Sequence, residues 1–283
     1  MSAITIIKSS GDREPWIPGK LERSLRAAGA TEGLIADILR HVERDLHDGM
    51  RTADIYRHAF SLLKRAHRPI AAQYSLKKAI MQLGPSGFPF ERLVAHLLSA
   101  QGFQTKVGQI VNGMCITHEI DVIAEKDDER LIVEAKYHND PATKSDVKVA
   151  LYVHARFMDV EKRFETDHVA DGKRDTFHRA WLITNTNFTS QAIDYGRCAG
   201  LAMTGWNYPK GRTLQDLVQE TQTHPITTLT LLTMPQKSAI IAKGVVLCRE
   251  IIEDPHILAE VGVPSQKIPA ILAEARTLSV QRT

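Results

Sequence analysis

The stretch that decides the fold is HEIDVIAE (residues 118–125) and LIVEAKYHN (residues 131–139), joined by the acidic turn Glu125-Lys126-Asp127-Asp128-Glu129-Arg130. Both runs alternate apolar and polar residues with the two-residue period of a half-buried strand, so the spacing predicts a hairpin. On the first strand Ile116, Ile120, Val122 and Ala124 are expected on one face, with Glu119, Asp121 and Ile123 on the other. On the second, Ile132, Glu134, Lys136 and His138 share a face. A turn centred between Asp127 and Asp128 sets Asp121 opposite Glu134 and Glu119 opposite Lys136.

Two carboxylates opposed on a sheet repel, and burial worsens the repulsion. A hard cation resolves it: Mg²⁺ (or Mn²⁺) takes one or two carboxylates and keeps water and phosphate oxygens as its other ligands. Asp121 and Glu134 are the candidate metal ligands. Lys136, on the same face, is placed to orient a water and to stabilise charge developing on a phosphodiester. The competing reading is a surface charge network on an exposed strand face.

Working outward, FPFERLVAHLLSAQGF (residues 88–103) places Phe90, Leu93, Val94, Leu97 and Leu98 along one helical stripe, with Glu91 at its edge. Glu91 is thus a further catalytic candidate, the alternative being a helix-start glutamate favoured by the macrodipole. Strands are expected near 103–111, 114–125 and 130–138, then a long helix near 145–164. Trp181 to Thr184 and Leu201 to Trp206 complete an α/β pattern around another helix. His118 and His138 flank the acidic strands, and Asn185 and Asn187 are placed at a strand end.

The helix, the aspartate strand and the ExK strand, in that order, resemble Mrr-like restriction endonucleases of the PD-(D/E)xK class over roughly residues 88–206. The resemblance implies that Asp121 and Glu134 bind Mg²⁺, that Lys136 assists the nucleophilic water, and that Glu91 supports the metal site, with DNA as substrate. Ile120 stands where the class name has proline.

The N-terminal ITIIKSSGDREPWIPGKLERSLRAAGA, with GMRTADIYRHAF and AAQYSLKKAI, is similar to ATP-cone domains, which bind ATP or dATP as regulators. That likeness places Lys8, Glu14, Lys20, Leu21 and Thr52 near a nucleotide, with Lys77 or Lys78 reaching phosphate; Lys8 is followed by Ser9 where the family commonly has arginine. Thr52 is expected to cap a helix carrying Ile55, Ala59, Leu62 and Leu63. Near the C-terminus, glycine turns between short helices resemble helix-hairpin-helix elements, or serve as simple helix stops in a dimerisation element.

The expected architecture is therefore multidomain: a mostly helical ATP-cone-like module over 1–84, an α/β restriction-endonuclease-like core with a central mixed sheet over 85–211, and a small helical region over 212–283. Residues 1–84 carry 14 Lys and Arg against 9 Asp and Glu, so the basic excess sits at the N-terminus of a chain of 283 residues and net charge +3. No apolar run approaches the roughly 20 residues of a membrane span, and a cytoplasmic protein is expected. Cys115, Cys198 and Cys248 form no CxxC pair and are expected to be buried thiols. His118-Glu119 lacks the second histidine of a zinc motif, and no Walker motif is present, so a nucleotide would be bound and not hydrolysed as a power source. The alternative to a nuclease is a nucleotide-responsive DNA-binding or assembly protein, in either case one able to form homo-oligomers.

Overall fold

The computed structural model describes residues 4–8, 11–127, 129–168 and 177–279. At the N-terminus, β1 (Thr5–Ile7) pairs antiparallel with β2 (Arg13–Pro15). Helices α1 (Pro18–Ala27) and α2 (Glu32–Asp45) follow. Pro18 opens α1, where its missing N–H costs nothing, and the Thr31 side chain caps α2 by accepting from the Leu34 N–H. Strand β3 (Met50–Arg51) runs parallel to β1 and leads directly into α3 (Thr52–Ala66). Because Arg51 ends the strand in extended backbone, it takes the N-cap position itself. Thr52 is then the first helical residue, without the capping bond expected of it. Ile55, Ala59 and Leu63 line the buried face of α3, and with Ile35, Ile38 and Val42 of α2 they form the core of this module, which α4 (Arg68–Tyr74) closes.

Helix α5 (Leu76–Met81) points its apolar side elsewhere, joining α6 (Phe88–Ser99) in the core beneath the central sheet. That sheet is built from β4 (Gln104–Asn112), β5 (Thr117–Lys126) and β6 (Glu129–Lys136) as an antiparallel meander. After the short β7 (Lys144–Ser145) and the long α7 (Val147–His168), β8 (Arg179–Thr184) returns parallel to β6. The chain continues through β9 (Asn187–Phe188), which pairs with β7, then α8 (Ser190–Cys198) and β10 (Ala202–Thr204), parallel to β8. The sheet order is β10-β8-β6-β5-β4, a mixed five-stranded sheet. Phe90, Leu93, Val94, Leu97 and Leu98 of α6 cover one face, and Ala150, Val153 and Val160 of α7 cover the other.

The C-terminal region is helical, as expected. Helix α9 (Leu214–Thr221), opened by a Thr213–Asp216 capping box, buries Leu214, Leu217 and Val218 in the same core as α6. Then α10 (Met234–Ala242), α11 (Cys248–Glu253), α12 (His256–Glu260) and α13 (Ile268–Ser279) enclose a separate cluster that also takes in Ala72 of α4. Gly244 ends α10 at φ +87°, and a side chain there would meet the Arg92 guanidinium of α6 at 2.7 Å. The Gly244 turn thus lies against the Arg92 side chain of α6.

Two expectations about exposure fail. Cys248 is buried, but Cys115 and Cys198 are exposed, because the first lies in the β4–β5 turn and the second at the outer end of α8. Ile120 packs with Ile123 and Ile132 on the α7 side, and not with Val122 and Ala124, which face α6. The two-residue alternation of β5 therefore breaks at Asp121. Among the described residues no helix is long and apolar enough to cross a membrane.

Candidate active site

The break at Asp121 builds the site. Pairing between β5 and β6 runs from Lys126↔Glu129 to Val122↔Val133, in the register expected from the sequence, and stops there. Beyond it the Asp121 carboxylate replaces the ladder: Oδ2 accepts the Ala135 N–H at 2.7 Å. Asp121 and Glu134 are thus not a simple cross-strand pair. Glu134 and Lys136 continue in parallel register with Leu182 and Thr184 of β8, which leaves their side chains half-buried on the β6 surface.

Glu91 approaches from the first turn of α6. Burial and then the charges of Asp121, Glu119 and Glu134 push its carboxyl up to about 7. Asp121 is pushed up to about 6 by burial and by Glu134, against the opposing Ala135 N–H and Arg156. Glu91 is raised by Asp121, Glu119 and Glu134, and Asp121 by Glu134, so negative charge is crowded where α6 meets the end of the β5–β6 ladder. Lys136 lies two residues along from Glu134, on the same face of the strand.

Arg156 is the site residue that the sequence reading missed. From α7 its Nη1 donates to Glu134 Oε2 at 2.6 Å and its Nη2 to the Tyr152 hydroxyl at 2.8 Å. The guanidinium also lies over the Tyr152 ring, 4.6 Å from its centre. In the sequence Arg156 is one of several cations on a long amphipathic helix, alongside Lys148, Lys162 and Arg163, and nothing in the spacing sets it apart.

His118, His138 and Asn185 are tied into hydrogen-bond networks. His118 Nε2 bonds Asp159 Oδ2 at 2.8 Å, and Asp159 also accepts the Cys115 and Ile116 N–H groups, tying the β4–β5 turn to α7. His138 is gripped through its backbone: its N–H donates to Asn185 Oδ1, and Asn185 Nδ2 donates to its carbonyl, both at 2.8 Å. Tyr137 accepts the Gly84 N–H and donates to the Met81 carbonyl, fixing the end of β6 against the approach to α6. A side chain at Gly84 would collide with the Tyr137 ring at 2.6 Å, so this close approach requires glycine. Asn187 lies in β9, where its Oδ1 is buried without a hydrogen-bond partner.

The N-terminal candidates also gather. Glu14 Oε2 bridges Lys8 Nζ at 2.8 Å and Lys20 Nζ at 2.7 Å. Thr52 is shared by two adjoining hollows, one bordered by Lys8 and Gly11, the other by Glu14, Trp16, Lys20 and Leu21. The indole N–H of Trp16 and the hydroxyl of Tyr56 are buried there without hydrogen-bond partners. Ser9 lies outside the described residues. Lys77 stacks over Trp206 and Lys78 borders a different cavity, so neither reaches these hollows.

Residues 84–164 match the family model described as restriction endonuclease, and residues 224–279 match that described as AF1548-like, C-terminal. An uncharacterized protein of Archaeoglobus fulgidus is 36% identical over 184 residues, covering 65% of this chain and 98% of the relative. This chain belongs to the AF1548-like family. A crystal structure described as AF1548, a protein of unknown function, superposes with a TM-score of 0.54 at 35% identity, covering 68% of this chain and 98% of that one. The central part of this AF1548-like protein therefore has a restriction-endonuclease-like, Mrr-type nuclease fold.

Proposed function

We propose that this protein is a divalent-metal-dependent endonuclease that hydrolyses DNA phosphodiester bonds, and that ATP or dATP bound by its N-terminal module regulates it. The division of labour follows the regions 1–84, 85–211 and 212–283. The reading is carried by one observation: the Asp121 carboxylate, held at the Ala135 N–H, is raised by Glu134 and in turn raises Glu91, at the end of the strand that also bears Lys136.

The donor set fits Mg²⁺ or Mn²⁺. All candidate ligands are carboxylates, and the upward push on Asp121 and Glu91 is the repulsion that a bound cation would relieve. Among the described residues no three acidic, histidine or cysteine side chains stand close enough to cage an ion alone. Mg²⁺ takes one or two carboxylates and completes its shell from water and phosphate. Asp121 and Glu134 would hold it, with Glu91 supporting, and it would supply Lewis-acid polarisation of the scissile phosphate.

The chain's own groups do the rest. Lys136 presents an ammonium on the strand that bears Glu134, where it orients the attacking water and offsets charge developing on the phosphodiester. Glu91, pushed up to about 7, is poised to hold or release a proton near neutral pH. Arg156 neutralises Glu134 in the metal-free chain. At the N-terminus, Lys8 and Lys20 offer charge to a polyphosphate, while Trp16 and Tyr56 offer unsatisfied donors.

The experiment is cleavage of linear, supercoiled and methylated DNA with Mg²⁺ or Mn²⁺, with and without ATP, beside Glu134→Ala and Lys136→Ala. Cleavage abolished in both variants is expected. No cleavage of any substrate, with DNA binding unchanged in both variants, would establish the second reading, a nucleotide-responsive DNA-binding or assembly protein.

A further inference from the structure

A cavity of about 180 Å³ lies where three parts of the chain meet: the outer side of α3, the exposed side of α5, and the segment 227–237 that leads into α10. Four cations border it: Arg57 and Lys64 from α3, Lys78 from α5 and Lys237 from α10, and no acidic residue is among its lining. It is a different space from the site around Asp121 and from the hollow beside Lys8. Tyr56 borders both this cavity and the hollow at Glu14 and Lys20.

Arg57 is exposed and paired with Asp54, whereas Lys64 and Lys237 are anchored to the loop. Lys237 is only 8% exposed and its Nζ donates to the Thr227 carbonyl at 2.7 Å. Lys64 Nζ donates to the Thr230 carbonyl at 3.2 Å from the opposite wall. An ammonium carries three donors, so each lysine anchors the loop with one and has others to offer. The Thr230 hydroxyl is buried without a partner, and Thr230 lines the cavity. Behind the loop, Glu274 Oε1 accepts the Thr230 N–H at 2.9 Å, a single carboxylate against several cations. Burial pulls Lys237 down to about 8 against the opposing charge of Glu274, and Lys64 and Lys78 add smaller pulls downward. Converging lysines with no lining carboxylate, and an unsatisfied hydroxyl between them, leave a deficit of negative charge.

We propose that this cavity binds a small phosphoanion, either free phosphate or the phosphate end of a polyphosphate-bearing metabolite, and thereby ties the N-terminal module to the C-terminal helices. Tetrahedral phosphate oxygens accept from several ammonium groups at once, which matches donors arriving from two walls and a loop. The volume suits a phosphate or short polyphosphate and excludes a duplex. An anion seated there bridges α3, α5 and the segment before α10, so its binding free energy also stabilises their packing.

The test is calorimetric titration of full-length Lys20→Ala, in which the N-terminal nucleotide site of the proposed function is disabled, with orthophosphate, inorganic triphosphate and ATP, beside the same chain carrying Lys78→Glu, Lys64→Met, Lys237→Met or, as a control, Arg40→Ala on the exposed side of α2. Lys78 is exposed, so Lys78→Glu should fold even if Lys237→Met does not. The expected result is binding of orthophosphate or triphosphate in the Lys20→Ala background that weakens at least tenfold when Lys78→Glu or Lys64→Met is added and is unchanged by Arg40→Ala. Tighter binding of orthophosphate assigns free phosphate, and tighter binding of triphosphate assigns a polyphosphate chain. The proposal is overturned if none of the three binds, if Lys78→Glu binds as tightly as its Lys20→Ala background, or if Arg40→Ala weakens binding as much as Lys78→Glu does.

Discussion

Arg156 holds Glu134 where the proposed cation would sit, Nη1 to Oε2 at 2.6 Å, with 11% and 14% of the two side chains exposed. Removing one member of a largely buried ion pair leaves an uncompensated charge. Metal-free Arg156→Ala should therefore unfold roughly 3 kcal/mol more easily than the parent chain. Mg²⁺ should recover much of that loss, because a divalent ion at Glu134 replaces the missing guanidinium. Urea unfolding in EDTA and in Mg²⁺ measures both quantities, and an equal loss in the two buffers would argue against an ion at Glu134.

The raised carboxyls fix the sign of a pH effect. Burial, then neighbouring charge, lifts Asp121 from 3.8 to about 6 and Glu91 from 4.5 to about 7. Between the ordinary and the raised values the native state binds more protons than the unfolded chain, so these groups make metal-free stability fall as pH rises from about 4 to about 7. Metal must displace the same protons, so Mg²⁺ affinity should climb through that window. A combined Asp121→Asn, Glu91→Gln variant mimics the protonated forms. Its metal-free melting temperature should decline less across this range, and a slope equal to that of the parent would refute the assignment.

Asp121 has two separable duties. Its Oδ2 satisfies the Ala135 N–H, and its charge serves the proposed ion. An asparagine side chain is isosteric and retains an acceptor, so Asp121→Asn should abolish cleavage while leaving stability nearly unchanged at pH 4, where Asp121 is protonated, and raising metal-free stability at pH 7. Asp121→Ala should abolish cleavage and also cost about 1–3 kcal/mol, the penalty for an unpaired buried donor. Urea unfolding of the two variants, beside DNA cleavage, distinguishes these outcomes.

The hairpin, its register and the order of elements were readable because they rest on local periodicity. Val122↔Val133 is the pairing that the turn predicts. The break at Asp121 was not readable, since it arises when a side chain substitutes for a backbone partner at Ala135, and alternation alone carries no signal of it. Arg156 was invisible for a related reason: its meeting with Glu134 is set by how α7 crosses the sheet. Asn185 was placed at the correct strand end, but its task is to clamp His138. The packing of α5 and α9 into one core depends on tertiary contacts that no helical wheel encodes.

The Asn185 clamp should matter for stability more than its polarity suggests. Two of its three hydrogen bonds go to the backbone of His138, the third runs from Nδ2 to the Met81 sulfur, and the residue is fully buried. Asn185→Ala leaves a buried N–H and a carbonyl without partners, for a loss of about 3 kcal/mol. Asn185→Asp keeps the acceptor but loses the donor and buries a charge, so it should be no better. Cleavage by whatever fraction remains folded should be reduced, because His138 lies two residues beyond Lys136. Full stability in Asn185→Ala would show that the clamp contributes little.

Nucleotide binding at the N-terminus can be read from Trp16. Its indole N–H is buried without a partner beside Lys20 and Leu21, and Glu14 holds Lys8 and Lys20 together across the mouth of the hollow. A nucleotide entering there would supply an acceptor to the indole and draw the two lysines from Glu14 to its phosphates. With Trp181 and Trp206 replaced by phenylalanine, ATP or dATP should change Trp16 emission in a saturable manner. Lys20→Ala should weaken the response at least tenfold. Glu14→Gln frees both lysines from their carboxylate partner, so it should tighten binding of inorganic triphosphate, whose only contacts are through phosphate. Emission that ignores ATP in the parent chain, while Lys20→Ala melts normally, would remove the nucleotide from this module and leave it as a docking element for the core.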